Sequence, residues 1–157
     1  MEGMTSASGG GVTPRPDDRD RTVQALVLEE LARYEPGVAD VQLEWSNGGR
    51  MWVTQVTPLV DGAAPFSIAA EDEDTLNCTF GHVWMEVFGR VEDRLPLLRE
   101  LVVAVLSGNF EETRSRTNAR GRFHTASGTV SGGAMQLPLP WRLRRVRRYT
   151  PYGNLRT

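Results

Sequence analysis

Residues 91–108, Val-Glu-Asp-Arg-Leu-Pro-Leu-Leu-Arg-Glu-Leu-Val-Val-Ala-Val-Leu-Ser-Gly, constrain the fold more than any other stretch. Leu95, Leu98, Val102, Val105 and Leu106 recur at helical spacing, and Leu97, Leu101, Val103 and Ala104 widen that stripe almost to a full circle. Both ends carry helix punctuation. Glu92 and Asp93 stand where an acidic cap belongs, Pro96 falls in the expected first turn, and Ser107-Gly108 supplies a left-handed stop. A helix this apolar must be covered on most sides, so it is expected to be the core helix against a sheet.

The remaining segments supply the strands. Residues 1–19 are rich in Gly, Ser, Pro and Asp and read as a disordered leader, leaving residues 20–157 as one domain. A first helix is expected from a cap at Asp20 or Thr22, with Val23, Leu26, Val27, Leu31 and Tyr34 on one face, Glu29, Glu30 and Arg33 off it, and Pro36-Gly37 as its end. Val41, Leu43 and Trp45 alternate with polar residues up to Asn47-Gly48-Gly49, and residues 51–57 resume the strand pattern, which predicts a hairpin. Further strands are expected at residues 66–70, 76–80 and 83–88, with a break at Gly81-His82. Residues 110–116 read as a polar edge strand, and an edge of that kind offers a route to a homodimer. Residues 122–130 and 134–139 flank Ser131-Gly132-Gly133 as a second hairpin, and residues 141–149 read as a final strand. Because the strands cluster instead of alternating with helices, the expected class is α+β, a largely antiparallel sheet with two helices packed on one face.

Charge is distributed unevenly. All 18 basic residues are arginine; residues 1–112 hold all 20 acids and 8 arginines, whereas residues 113–157 hold 10 arginines and no acid. A net charge of −2 favours arginine strands lying beside acidic ones within one fold over a free basic tail. No run approaches the roughly 18 apolar residues of a membrane span, and Met1-Glu2-Gly3-Met4 does not begin a secretory signal. The single cysteine, Cys78, excludes an intrachain disulfide and a cysteine-based zinc site, so the expected compartment is the cytoplasm.

Few residues offer chemistry. Cys78, His82 and His124 are the only thiol and imidazole groups, and alternation puts Cys78 on the Leu76/Phe80 face as a small buried residue, not a nucleophile. Glu71-Asp72-Glu73-Asp74 lacks the spaced ligand pattern of a calcium loop, so it reads better as an acidic patch offered to a basic partner than as a cation site. The glycine-rich spots lack the context of a phosphate loop, and no hydrolase elbow or His-Glu-x-x-His motif is present. No cofactor and no catalytic residue is therefore expected. Arg142, Arg144, Arg145, Arg147 and Arg148, interleaved with Trp141, Tyr149 and Tyr152, give the alternative of a nucleic-acid-binding module, without a helix-turn-helix, zinc finger or aromatic RNA-binding signature beside it.

The segment Leu-Val-Val-Ala-Val-Leu-Ser-Gly-Asn-Phe-Glu-Glu-Thr-Arg-Ser-Arg, residues 101–116, resembles a pattern in small proteins of arginine-rich actinobacteria, among them orphan proteins and immunity proteins paired with secreted toxins. That resemblance implies a non-catalytic α+β protein that binds and blocks a cognate partner. It carries over no individual functional residue. The resulting expectation is a protein-binding domain whose contact residues are Glu71, Asp72, Glu73 and Asp74.

Overall fold

The structure is a computed structural model and describes residues 12–46, 48–115, 118–133 and 145–157. The fold is α+β, in the order α1 (Asp18–Leu31), β1 (Ala39–Ser46), β2 (Met51–Pro58), β3 (Phe66–Ala70), β4 (Thr75–Phe80), β5 (Val83–Phe88), α2 (Val91–Leu106), β6 (Phe110–Arg114), β7 (Ala119–Thr125), β8 (Gly128–Gly133) and β9 (Arg145–Arg148). Among the described residues the strands form two antiparallel sheets, not one: β1-β2-β3-β4-β5 and β8-β7-β6-β9. The helices touch each other, α1 also packs on β1, β2 and β3, and α2 reaches both sheets through β4 and β7. α2 is thus shared between the two sheets, while α1 packs on the first.

The helical expectations hold in their apolar faces and shift at their ends. α1 begins at Asp18, inside the expected leader, because Asp17 is its N-cap; the Asp17 side chain accepts from the Arg19 and Asp20 N–H groups, and Asp20 returns the bond to the Asp17 N–H. The helix stops at Leu31, before Pro36-Gly37, and the buried Tyr34 lies beyond it in a bridge with Leu155. Glu30, expected off the apolar face, is only 3% exposed. It is held there by Arg99 of α2 and by Arg33 at 3.1 Å. α2 buries Val91, Leu98, Leu101, Val102, Ala104, Val105 and Leu106. Its N-cap is Arg90, with no side-chain cap bond, so Pro96 sits one turn deeper than expected.

Two strand expectations fail, each for its own reason. β6 is interior, paired on one side with β7 and on the other with β9, so the proposed dimer edge is already occupied. Ser131-Gly132-Gly133 is not a turn; the chain reverses between Thr125 and Gly128, and β8 runs through all three residues. A Cβ at Gly132 would lie 2.7 Å from the Met85 side chain, so this glycine admits the neighbouring sheet instead of making a turn. Residues 134–139 and 141–144 lie outside the described residues.

An aromatic series joins the two sheets. Phe66 and Phe80 on the first sheet stack at 5.7 Å, Phe80 meets Phe123 of the second edge-on at 5.1 Å, and Phe110 stacks on Phe123 at 4.7 Å and on Tyr149 at 5.4 Å. Tyr152 closes the other end against Phe66 and donates its hydroxyl to the Ala64 carbonyl.

Candidate functional site

The outward face of the first sheet follows from its register. Trp84, Glu86 and Phe88 of β5 stand opposite Thr79, Asn77 and Thr75 of β4, and alternate with the buried Val83 and Val87. Trp84 is 54% and Phe88 64% exposed, both on the edge strand of the sheet. Residues 71–74 adjoin the Phe88 end of β5, whereas Trp84 lies four residues away toward the β4–β5 turn. The Gly89 N–H donates to the Asp74 carbonyl at 2.7 Å, which pins the loop to the end of β5. The Glu71 N–H donates to the Thr75 carbonyl at 3.0 Å, and the Asp74 N–H to Asp72 Oδ1 at 2.9 Å. Asn77 Nδ2 donates to Glu71 Oε2 at 2.6 Å and draws that carboxylate over the strand face beside Glu86.

Glu71, Asp72, Glu73 and Asp74 are all exposed, and none makes an ion pair within 4 Å among the described residues. Strands β1–β5 contain Asp40, Glu44 and Glu86 and no arginine. The arrangement therefore sets exposed aromatic rings beside carboxylates that make no ion pair within 4 Å among the described residues, with the Arg94 guanidinium at the Gly89 end of the strand. Guanidinium and ammonium groups are the natural complement, through ion pairing and through the ring faces. Among the described residues no three His, Cys, Asp or Glu side chains converge as metal ligands.

The thiol and imidazole groups are kept apart. Cys78 is buried on the core face of β4, and burial alone pushes its thiol up to about 12. His82, in the β4–β5 turn, faces the second sheet. Its N–H donates to Glu112 Oε2 at 2.9 Å and its ring Nδ1 lies 3.0 Å from Glu112 Oε1. Glu112 is 0% exposed, and its Oε2 also accepts from the Tyr149 hydroxyl at 2.8 Å. Desolvation first, and that hydrogen bond second, raise the Tyr149 phenol well above its ordinary value, so it stays a donor. Gly81 makes this junction sterically feasible: its φ is +59°, and a Cβ there would stand 2.5 Å from Tyr149 Oη and 2.6 Å from Glu112 Oε2. His124 sits on the opposite face of the sheet, 3.8 Å from Glu111 Oε2 and 3.4 Å from Thr129 Oγ1.

The arginine tail is divided. Arg142 and Arg144, with Trp141, lie outside the described residues, while Arg145, Arg147 and Arg148 are exposed on β9. Tyr149 and Tyr152 are buried, so neither offers a face for a base to stack on. The arginines nevertheless gather, for β6, β7 and β9 carry Arg114, Arg120, Arg122, Arg145, Arg147 and Arg148 on one small sheet. Only Arg148, to Glu111 at 2.8 Å, has a carboxylate partner within 4 Å among the described residues.

Sequence reading found the acidic loop but missed the aromatic pair and the buried carboxylate. Strict alternation over residues 83–88 puts Trp84 and Phe88 on the face with Glu86, and the same alternation puts Glu112 with Phe110; both signals were present. Comparison of the chain with protein-family models, curated proteins and solved structures yields no match.

Proposed function

We propose that this chain is a non-catalytic protein-binding domain, an immunity-type inhibitor of a basic partner protein. It engages that partner through Glu71, Asp72, Glu73 and Asp74 and the adjoining outer face of β5. One observation carries the reading: Trp84 and Phe88 are exposed on either side of Glu86, and the four carboxylates of the loop beside Phe88 make no ion pair within 4 Å among the described residues. Exposed aromatic anchors are what a protein interface centre uses, and clustered carboxylates accelerate encounter with a basic surface. The implication drawn from residues 101–116 points the same way. A buried free thiol fits a reducing cytoplasm, and no helix among the described residues is long and apolar enough to cross a membrane.

The test is capture of partners from nuclease-treated lysate by the immobilised chain, followed by association kinetics with the protein captured. A basic protein should bind. The double reversal Asp72→Arg/Glu73→Arg should slow its association by about tenfold or more at low salt. Trp84→Ala should speed its dissociation, because an anchor acts after encounter. Unchanged kinetics in both variants would sink the proposal, as would capture of nucleic acid alone before nuclease treatment and of nothing after it.

A further inference from the structure

The second sheet holds a cluster that partner binding through the first sheet does not use. Arg114 and Arg145 are Cα partners across β6 and β9, so their side chains leave the same face side by side. Arg147, two residues along that face, is the cross-strand partner of Glu112, and its guanidinium carbon lies 4.7 Å from the centre of the Tyr149 ring. Arg114 Nη1 lies 3.4 Å from His82 Nε2. Three guanidiniums and an imidazole thus meet at one exposed corner.

Nothing exposed neutralises them. Glu112, the nearest carboxylate in this network, is wholly buried, and its oxygens already serve the His82 N–H, the His82 ring and the Tyr149 hydroxyl. Like charges placed directly opposite on a sheet destabilise it, so the Arg114–Arg145 pair is a cost to the apo fold. Glu112 has a second effect. A carboxylate beside Nδ1 holds the ring proton on that side, which turns Nε2 outward toward Arg114. A guanidinium has no acceptor, so Nε2 accepts from Arg114.

We propose that Arg114, Arg145 and Arg147, beside the His82 ring, form a binding site for a dianionic phosphate group, either inorganic phosphate or a terminal phosphate monoester. The three guanidiniums supply forked donors matched to phosphate oxygens, and the His82 ring, in contact with Arg114, reports their engagement. Glu112 is a positioning residue that touches the imidazole and not the anion. The concentration of positive charge at one corner matches a doubly charged terminal group better than a singly charged diester.

The two histidines allow a direct test on the full-length, ¹⁵N-labelled chain. Inorganic phosphate, added at constant ionic strength, should shift the His82 ring resonances saturably. His124, on the opposite face beside Glu111, should stay unmoved. Arg114→Gln and Arg145→Gln, both at exposed positions, should each raise the half-saturating concentration by roughly tenfold. A nucleoside monophosphate that binds more tightly than inorganic phosphate would identify the monoester as the source; weaker binding would identify the free ion. Overturning results are equally plain: both histidines drifting together, an unchanged response in Arg114→Gln, or an equal response to a dinucleoside phosphate lacking a terminal group.

Discussion

The two sheets bury the same kind of residue and expose opposite kinds. Inside, Phe66 and Phe80 of one meet Phe110 and Phe123 of the other, and alternation supplies the buried face of each. Outside, the first sheet offers Asp40, Glu44 and Glu86 without an arginine, while the second offers six arginines and the partly covered Glu111. A net charge of −2 therefore describes neither surface. The lesson is that burial dictates the core stretch of one face, and the other face, together with the open end of the core-facing register at Arg114 and Arg145, is left to carry recognition. Where the fold needs charge for cohesion, it pairs it at the helices, as with Arg99 against Glu29 and Glu30. On the sheets most of the charge is left unpaired.

The sharpest break in this comparison is Glu112, an acid at the core face of the arginine sheet. Glu112→Ala should lower stability by about 3–5 kcal/mol in denaturant unfolding, since it strands the Tyr149 hydroxyl, the His82 N–H and the flanking guanidiniums together. Glu112→Gln should cost less, because its carbonyl still accepts one of those donors. If Glu112→Ala cost no more than about 0.5 kcal/mol, the second sheet would not be anchored through this carboxyl.

Raising the pH loads both sheets at once. Burial raises the Cys78 thiol from 9.0 to about 12, and burial also raises the Tyr149 and Tyr152 phenols above 10.0. Each group ionises more readily in the unfolded chain. The stabilisation is complete below the unfolded value and is lost as pH climbs through it toward the folded one. Stability should therefore fall between about pH 9 and pH 12, by up to about 1.4 kcal/mol per unit for each group engaged. At pH 10 the loss should be about 1–2 kcal/mol, and Cys78→Ala should remove the first sheet's share while leaving the tyrosines'. An unfolding free energy that stays flat to pH 11 would contradict the burial of all three. The double reversal Asp72→Arg/Glu73→Arg sharpens the contrast from the other side: it should change stability by no more than about 0.5 kcal/mol while slowing association.

What could be read in the residues depended on how far apart the partners lie. The hairpin at Asn47-Gly48-Gly49 was legible because turn and register are local, as were the stripe of α2 and the burial of Cys78. The split into two sheets was not, since it rests on Glu111 meeting Arg148 and Phe80 meeting Phe123 across long intervals. Residues 110–116 looked like an edge because they are polar; residues 110–114 are interior because Glu111 pairs with Arg148 of β9 and Glu112 accepts from the Tyr149 hydroxyl just beyond it. Gly132 looked like a turn because glycine usually marks one, whereas here the missing side chain makes room for Met85. Glu30 and Glu112 looked solvated because the arginine and tyrosine partners that keep them buried lie 69 and 37 residues away.

A small gain in stability separates structure from ligand most cleanly. Arg145→Glu converts the Arg114–Arg145 like-charge pair into an opposite-charge cross-strand pair. On charge alone it should raise stability by about 0.2–1 kcal/mol, a gain visible as a small increase in the midpoint of chemical unfolding. The same substitution should abolish the phosphate response of His82, because the new carboxylate occupies the donors of Arg114 and repels the anion. A variant that is more stable and no longer binds is what a surface kept for a ligand gives up when it is relieved. A loss of stability would instead mean that Arg145 supports β9 in the apo fold, and the arginine sheet would then resemble the helix pair, with charge used for cohesion and not for recognition.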